Sequence, residues 1–285
     1  MTDLPEKKDK KNEQDELDKT AAPLLEHLIE LRRRLLWVAG YILVAFVVCF
    51  YFNEEIYVFL AQPYVDVSLK YGQDAKMIYT GMHEAFFVYL KISFFAAFCL
   101  TFPLISIQLW KFVAPGLYGN EKKAFLPFLI GTPVLFLMGA ALAYYLVIPN
   151  AWNFFMSFQL GPQAVSPDVL GGAAGISKEK LAGVLSIELL PTVREYWSLV
   201  MLLILAFGIS FQLPILLVLL ARVGIVTANG LAAKRKYMVV AAFAFAAIMT
   251  PPDPISQIGL GIPILILYEI SIIFIRLTIK DKKNV

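Results

Sequence analysis

Two carboxylates in this 285-residue chain stand beside dense positive charge, and that pairing is its most specific chemical feature. Glu30 lies in HLIELRRRLLW (His27–Trp37), just before Arg32, Arg33 and Arg34, and the stretch runs directly into the apolar VAGYILVAFVVCFYF. Glu121 lies in WKFVAPGLYGNEKK, followed by Lys122 and Lys123. Singly, each has an ordinary explanation. Glu30 and Arg34 have the i,i+4 spacing of an intrahelical ion pair, worth about 0.2–0.5 kcal/mol. Glu121 after Asn120 fits the acidic first turn of a capped helix. Together, two acids at the edges of apolar segments can receive a cationic peptide, because guanidinium and carboxylate form charge-assisted, often bidentate hydrogen bonds. The arginines around Glu30 would repel such a ligand, so the acids must be the attractive elements. Arg32, Arg33 and Arg34 then read as an electrostatic anchor at a membrane surface.

Other chemistries find little support. The chain has two histidines, His27 and His83, and no HExxH pattern; GISFQ (208–212) lacks the final glycine of a serine-hydrolase elbow, and no Gly-rich phosphate loop occurs. Cys49 and Cys99 are far apart in apolar runs and read as small buried hydrophobes. An enzyme, a metal or a cofactor is therefore not expected. An ion-coupled transporter should carry ionisable groups near the bilayer midplane, and the middle of the fourth apolar run offers only Gln212. Gln212 precedes Pro214, which has no N–H to offer the carbonyl of Ser210. A polar side chain here is expected to bond a freed carbonyl, a neighbouring helix or a partner's transmembrane helix. The remaining polar motif is TPPDP, with Pro251, Pro252 and the charged Asp253 between two apolar runs.

The elements that must position these groups are membrane helices. Hydrophobic residues make up 59% of the chain and charged residues 16%, against about 25% charged in soluble domains. Six apolar runs are long or nearly long enough to cross: Leu35 to Phe52, Phe86 to Leu109, Pro127 to Pro149, Trp197 to Leu220, Tyr237 to Thr250 and Ile255 to Ile275. The fifth is short, and the sixth is apolar only to Tyr268 before Glu269. Pro103 and Pro214 are expected to bend their helices, giving a curved, cupped bundle. Nineteen of the 25 Lys and Arg residues fall on the side of the N-terminal tail, the 110–126 and 221–236 loops and the C-terminal end. By the positive-inside rule both termini are cytoplasmic and the number of spans is even. Short helices on the outer surface are expected in NEEIYVFLAQPYVDVSLKYG and ISKEKLAGVLSIELLPTVREYW. Residues 1–21 read as a disordered, charged cytoplasmic tail, 22–280 as the membrane domain and 281–285 as a short cytoplasmic tail.

Four ordered stretches, HLIELRRRLL, QLWKFVAPGLYGNEKK, FGISFQLP and MTPPDPISQ, together with six spans, closely resemble the TatC family, the largest core subunit of the twin-arginine (Sec-independent) protein translocase. The resemblance covers about residues 22–280. It implies an all-α polytopic protein of the bacterial cytoplasmic (inner) membrane, without catalytic residues. It further implies a receptor for twin-arginine signal peptides on folded cargo, driven by the proton-motive force. TatA-like and TatB-like partners, contact with membrane lipid and several copies per complex are implied as well, with no role for nucleic acid. The family's recognition carboxylates fall on Glu30 and Glu121, and its pattern also implicates Arg32, the Pro63 region, Phe112, Pro115 and Leu117. Where many members carry Glu in the membrane-buried position, this chain has Gln212.

The charge asymmetry gives a direct test. In intact cells, Asn120→Cys should be shielded from an impermeant thiol reagent, while Ser166→Cys should label. The reverse pattern would overturn the orientation, and a mixed one the number of spans.

Overall fold

The structure is a computed structural model that describes residues 6–113, 122–157, 189–250 and 253–278. Among these residues the fold is all-helical. Ten α-helices are present: α1 (Glu6–Tyr51), α2 (Asn53–Lys70), α3 (Glu84–Val113), α4 (Lys122–Leu142), α5 (Ile148–Met156), α6 (Val193–Ser210), α7 (Leu213–Arg222), α8 (Ala228–Ala233), α9 (Arg235–Met249) and α10 (Pro254–Thr278). A π-helical turn, Ala143–Val147, joins α4 to α5. Five segments are long and apolar enough to cross a membrane: His27–Tyr51, Glu84–Phe112, Phe128–Met156, Val193–Arg222 and Pro254–Thr278. The fifth expected span is α9. Its 15 residues reach about 22 Å at 1.5 Å per residue, short of a hydrocarbon core of about 30 Å.

Helix α1 runs from Glu6, well before the first apolar run, to Tyr51. Residues 6–20 contain no Gly or Pro and include five Lys and three Glu, straight-chain residues that give up little rotamer freedom in a helix. Low hydrophobicity does not prevent a helix continuous with the span that follows. The outer helix expected over 53–72 is α2, which buries Leu60, Ala61, Tyr64 and Val67. Most of the second outer stretch, residues 158–188, lies outside the described residues.

Helix α6 forms the centre of the bundle. Ten of its 18 residues are buried, and Trp197, Val200, Leu203 and Phe207 are wholly so. Helix α4 crosses it at two glycines. A Cβ on Gly139 would lie 2.5 Å from the Phe207 carbonyl oxygen, and one on Gly208 would lie 2.5 Å from the Phe136 ring. Lipid tails compete with side chains for apolar contact, so close backbone approach at small residues is a principal source of helix association in a bilayer.

Prolines shape the remaining elements. Pro63 inside α2 deprives the Phe59 carbonyl of its helical donor. The Tyr144 hydroxyl, on the π turn, donates to that carbonyl at 2.6 Å, and the Tyr196 hydroxyl donates to Leu60 O at 2.9 Å. Pro214 starts α7 after a break at Phe211 and Gln212, so the fourth span is two helices. Pro103, by contrast, is carried within the single helix α3.

At the α3 N-terminal end the two outer connections are clasped together. Ile78 N–H donates to Pro191 O at 3.1 Å and Val193 N–H to Ile78 O at 2.8 Å. The Glu84 carboxylate accepts from Thr80 N–H at 2.8 Å, Gly81 N–H at 3.2 Å and Arg194 N–H at 2.9 Å. At the opposite end, Arg235 of α9 holds Glu269 of α10 through two hydrogen bonds of 2.6 and 2.7 Å.

The α4–α6 crossing predicts an asymmetric glycine response. Gly139→Ala should lower unfolding stability by about 1–3 kcal/mol, the usual cost of overpacking, because the methyl group meets backbone. Gly40→Ala, with nothing within 4 Å of its added Cβ, should be neutral or slightly stabilising. Thermal unfolding in detergent checks this, and equal midpoints for the two variants would refute the close crossing.

Candidate functional site

Helix α1 carries the candidate site across the boundary from a charged to an apolar sequence, and its 30–34 turn is fixed by polar contacts to α3. The Arg34 guanidinium donates from Nε to Glu30 Oε1 at 3.0 Å, and its Nη2 reaches the same oxygen. Its Nη1 donates to Gln108 Oε1 at 3.3 Å, and Gln108 Nε2 donates onward to the Tyr41 hydroxyl at 3.4 Å. One turn before Glu30, His27 stacks on Phe112 of α3, with ring centroids 4.2 Å apart and planes at 18°. A ring stack at one level and a hydrogen-bonded chain at the next therefore set the rotation of α1 against the end of α3.

The ion pair is partly sheltered, with side-chain exposures of 17% for Arg34 and 25% for Glu30. Partial burial strengthens the attraction and raises the cost of breaking it by removing one partner. Both Arg34 donors fall on Oε1. Glu30 Oε2 accepts nothing from the described residues, so it keeps its capacity for a second cation. Arg32 and Arg33 are exposed and make no ion pair with the described residues. The intrahelical pairing and a free acceptor thus coexist on one carboxylate, and the two sequence readings of Glu30 do not compete.

Of the other sequence-derived positions, Phe112 joins Glu30 and Arg32 through the His27 stack. Glu121, Pro115 and Leu117 lie outside the described residues, as do Pro251 and Pro252. Pro63 belongs to α2, which follows the far end of α1, and is buried in the packing of the outer layer. Asp253 is 1% exposed and caps α10: its Oδ2 accepts from Ser256 N–H at 2.6 Å, with Pro254 opening the helix. That is an N-terminal cap in the usual geometry, and it gives Asp253 a structural position. Gln212 Nε2 donates to the Thr132 carbonyl at 2.9 Å. The Thr132 hydroxyl donates to Phe128 O at 2.7 Å and accepts from Trp110 Nε1 at 2.9 Å. The broken fourth span is thereby tied to α4 and, through Thr132, to α3. The Gln212 amide donor is used inside the chain, on a carbonyl other than that of Ser210.

His27, Tyr41 and Gln108 are the contributors that the sequence reading missed. Gln108 carried a signal, being a lone amide near the end of an apolar run. His27 and Tyr41 carried none, since only the α1–α3 register brings them to Phe112 and Gln108. Among the described residues no group of three or more His, Cys, Asp or Glu side chains is placed to hold a metal ion, and Cys49 and Cys99 are both free. The arrangement is suited to ion pairing and hydrogen bonding with a cationic ligand.

Comparison with known proteins gives a consistent result. The family described as TatC, Sec-independent protein translocase protein, matches residues 26–263. A Sec-independent protein translocase protein TatC from Magnetococcus marinus is 50% identical over 255 residues, covering 90% of this chain and 84% of the relative. The TatC protein of Rickettsia prowazekii is 41% identical over 249 residues, covering 87% and 90%. A crystal structure described as the twin arginine translocase receptor TatC superposes with a TM-score of 0.69 at 35% identity, covering 88% of this chain and 98% of that one.

The Gln212 bond has a measurable consequence. Gln212→Leu should reduce unfolding free energy in detergent by about 0.6–1.7 kcal/mol, the range for interhelical hydrogen bonds in membrane proteins. An unchanged value would mean that the Thr132 contact contributes nothing.

Proposed function

The chain belongs to the TatC family of Sec-independent protein translocase proteins, and on that premise we propose that it is the signal-peptide receptor and core subunit of a twin-arginine translocase. It is a transport protein, not an enzyme. The observation that carries the receptor reading is the divided Glu30 carboxylate, with Oε1 held by Arg34 and Oε2 without a partner among the described residues. A guanidinium from a signal peptide takes Oε2, while Gln108 holds Arg34 on its own side of the pair. Arg34 then orients the carboxylate without consuming it. Glu121 supplies the second carboxylate, for the second arginine of the motif. The family pattern adds Arg32, Phe112, Pro115 and Leu117 as candidates for the same role.

The rest of the reading rests on membership of the family and, for the orientation, on the charge distribution. Helix α9 makes a sixth, short crossing beside the five long ones, both termini lie in the cytoplasm, and the bundle is cupped. The protein resides in the bacterial inner membrane, in several copies alongside TatA-like and TatB-like subunits. Six helices are too few to enclose a folded cargo, so those subunits contribute the passage, and the proton-motive force drives it.

Binding of a synthetic twin-arginine peptide to the purified chain tests the receptor role. Glu30→Ala and Glu121→Ala should each remove a charged hydrogen bond worth about 1.5–3 kcal/mol, weakening affinity about ten- to a hundred-fold. Unchanged affinity in both variants would exclude the two carboxylates from the site.

A further inference from the structure

Helices α1, α3 and α6 leave between them a groove of about 880 Å³, within the range of roughly 300–1,000 Å³ typical of ligand sites. Leu43, Phe94, Phe98, Leu205 and Ile209 line it, and Lys91 is the one polar or charged residue in its wall. Lys91 is exposed and has no hydrogen bond or ion pair with the described residues. A cation in this setting is costly unless it reaches water or meets an anion. Lys91 lies seven residues into α3, about 10 Å from its N-terminal end. The four-carbon stem is long enough to lift the ammonium towards the interface at that end.

The extent of the groove discriminates between possible occupants. Its α3 wall runs from Leu90 to Phe98 and its α6 wall from Met201 to Ile209, each about 12 Å long. A partner transmembrane helix would need a wall following it through the whole hydrocarbon core of about 30 Å. A wall of about 12 Å matches one leaflet, half of that depth. An anionic head beside Lys91 and an apolar chain below it describe a lipid of that leaflet. Lysine serves a phosphate well as a point charge.

We propose that this groove is a binding site for one glycerophospholipid from the leaflet at the α3 N-terminal end. Its phosphate pairs with Lys91, and one acyl chain lies along Phe94, Phe98 and Ile209. The site is separate from the Glu30 surface and does not depend on the receptor reading.

The full chain in detergent, supplied with palmitoyl-oleoyl phosphatidylglycerol and released for native mass spectrometry, provides the test. The wild type should retain one lipid. Lys91→Gln should lower the retained fraction about five-fold, the loss of about 1 kcal/mol of ion pairing, and Lys91→Arg should retain lipid as the wild type does. Leu205→Trp, which fills the groove and leaves the charge in place, should also reduce retention. A wild type without bound lipid, or retention in Lys91→Gln equal to wild type, overturns the proposal even if Leu205→Trp fails to fold. A photoreactive residue replacing Phe94 should give a lipid adduct in native membranes; an adduct with another polypeptide instead would assign the groove to a protein partner.

Discussion

No water is available in the hydrocarbon core to satisfy a backbone carbonyl, so each one that loses its helical donor must find another inside the protein. This chain has 16 prolines, and one tertiary contact answers the same demand in α2, outside the five long spans. Pro63 strips the Phe59 carbonyl, and the Tyr144 hydroxyl comes from a π turn 85 positions away to answer it. Pro149 stands at the start of α5 immediately after that turn, and the widened turn is the kind of local adjustment that accommodates such a break. Aromatic hydroxyls are suited to the task because they bring an apolar ring into the packing and a donor at its tip. Helix α2 is therefore tied to the π turn and to α6 by tyrosine hydroxyls.

The same economy appears at the candidate site. An ionised pair at a membrane surface pays to lose solvent, and it survives when further hydrogen bonds complete its valences. Arg34 is completed by Gln108, and Gln108 by Tyr41. Glu30 is left half-completed. A carboxylate held through one oxygen has already lost its rotamer freedom, so its other oxygen, unpartnered among the described residues, is a preorganised acceptor. Fixed register between α1 and α3 is what makes this possible, and the His27–Phe112 stack supplies it one turn away.

Much of this was legible in the residues, and the division follows the range of the forces. Apolar runs, basic flanks and prolines act locally, so the spans, the outer helix α2 and the break before Pro214 could be read from neighbouring residues alone. Glu30 was found by its chemistry, and its i,i+4 partner by spacing. Gln108 and Tyr41 were not, nor was the Thr132 carbonyl as the acceptor for Gln212. Those contacts depend on how helices cross and rotate, α1 against α3 through the His27–Phe112 stack and α4 against α6 at Gly139 and Gly208, and no periodicity encodes that geometry.

The clasp at the α3 N-terminal end bears on how the protein is made. Glu84 and Arg194 are 110 positions apart in the chain. At bacterial-like elongation rates of 5–20 residues per second, the second partner leaves the ribosome on the order of ten seconds after the first. Until then α3 has no α6 to pack against, and the Glu84 carboxylate holds only the local Thr80 and Gly81 donors. The early helices must wait in the bilayer as an unfinished hairpin, with the seat of the central helix open to lipid. Maturation of the bundle is thus a late event, completed when the fourth span arrives and its first turn is drawn onto Glu84.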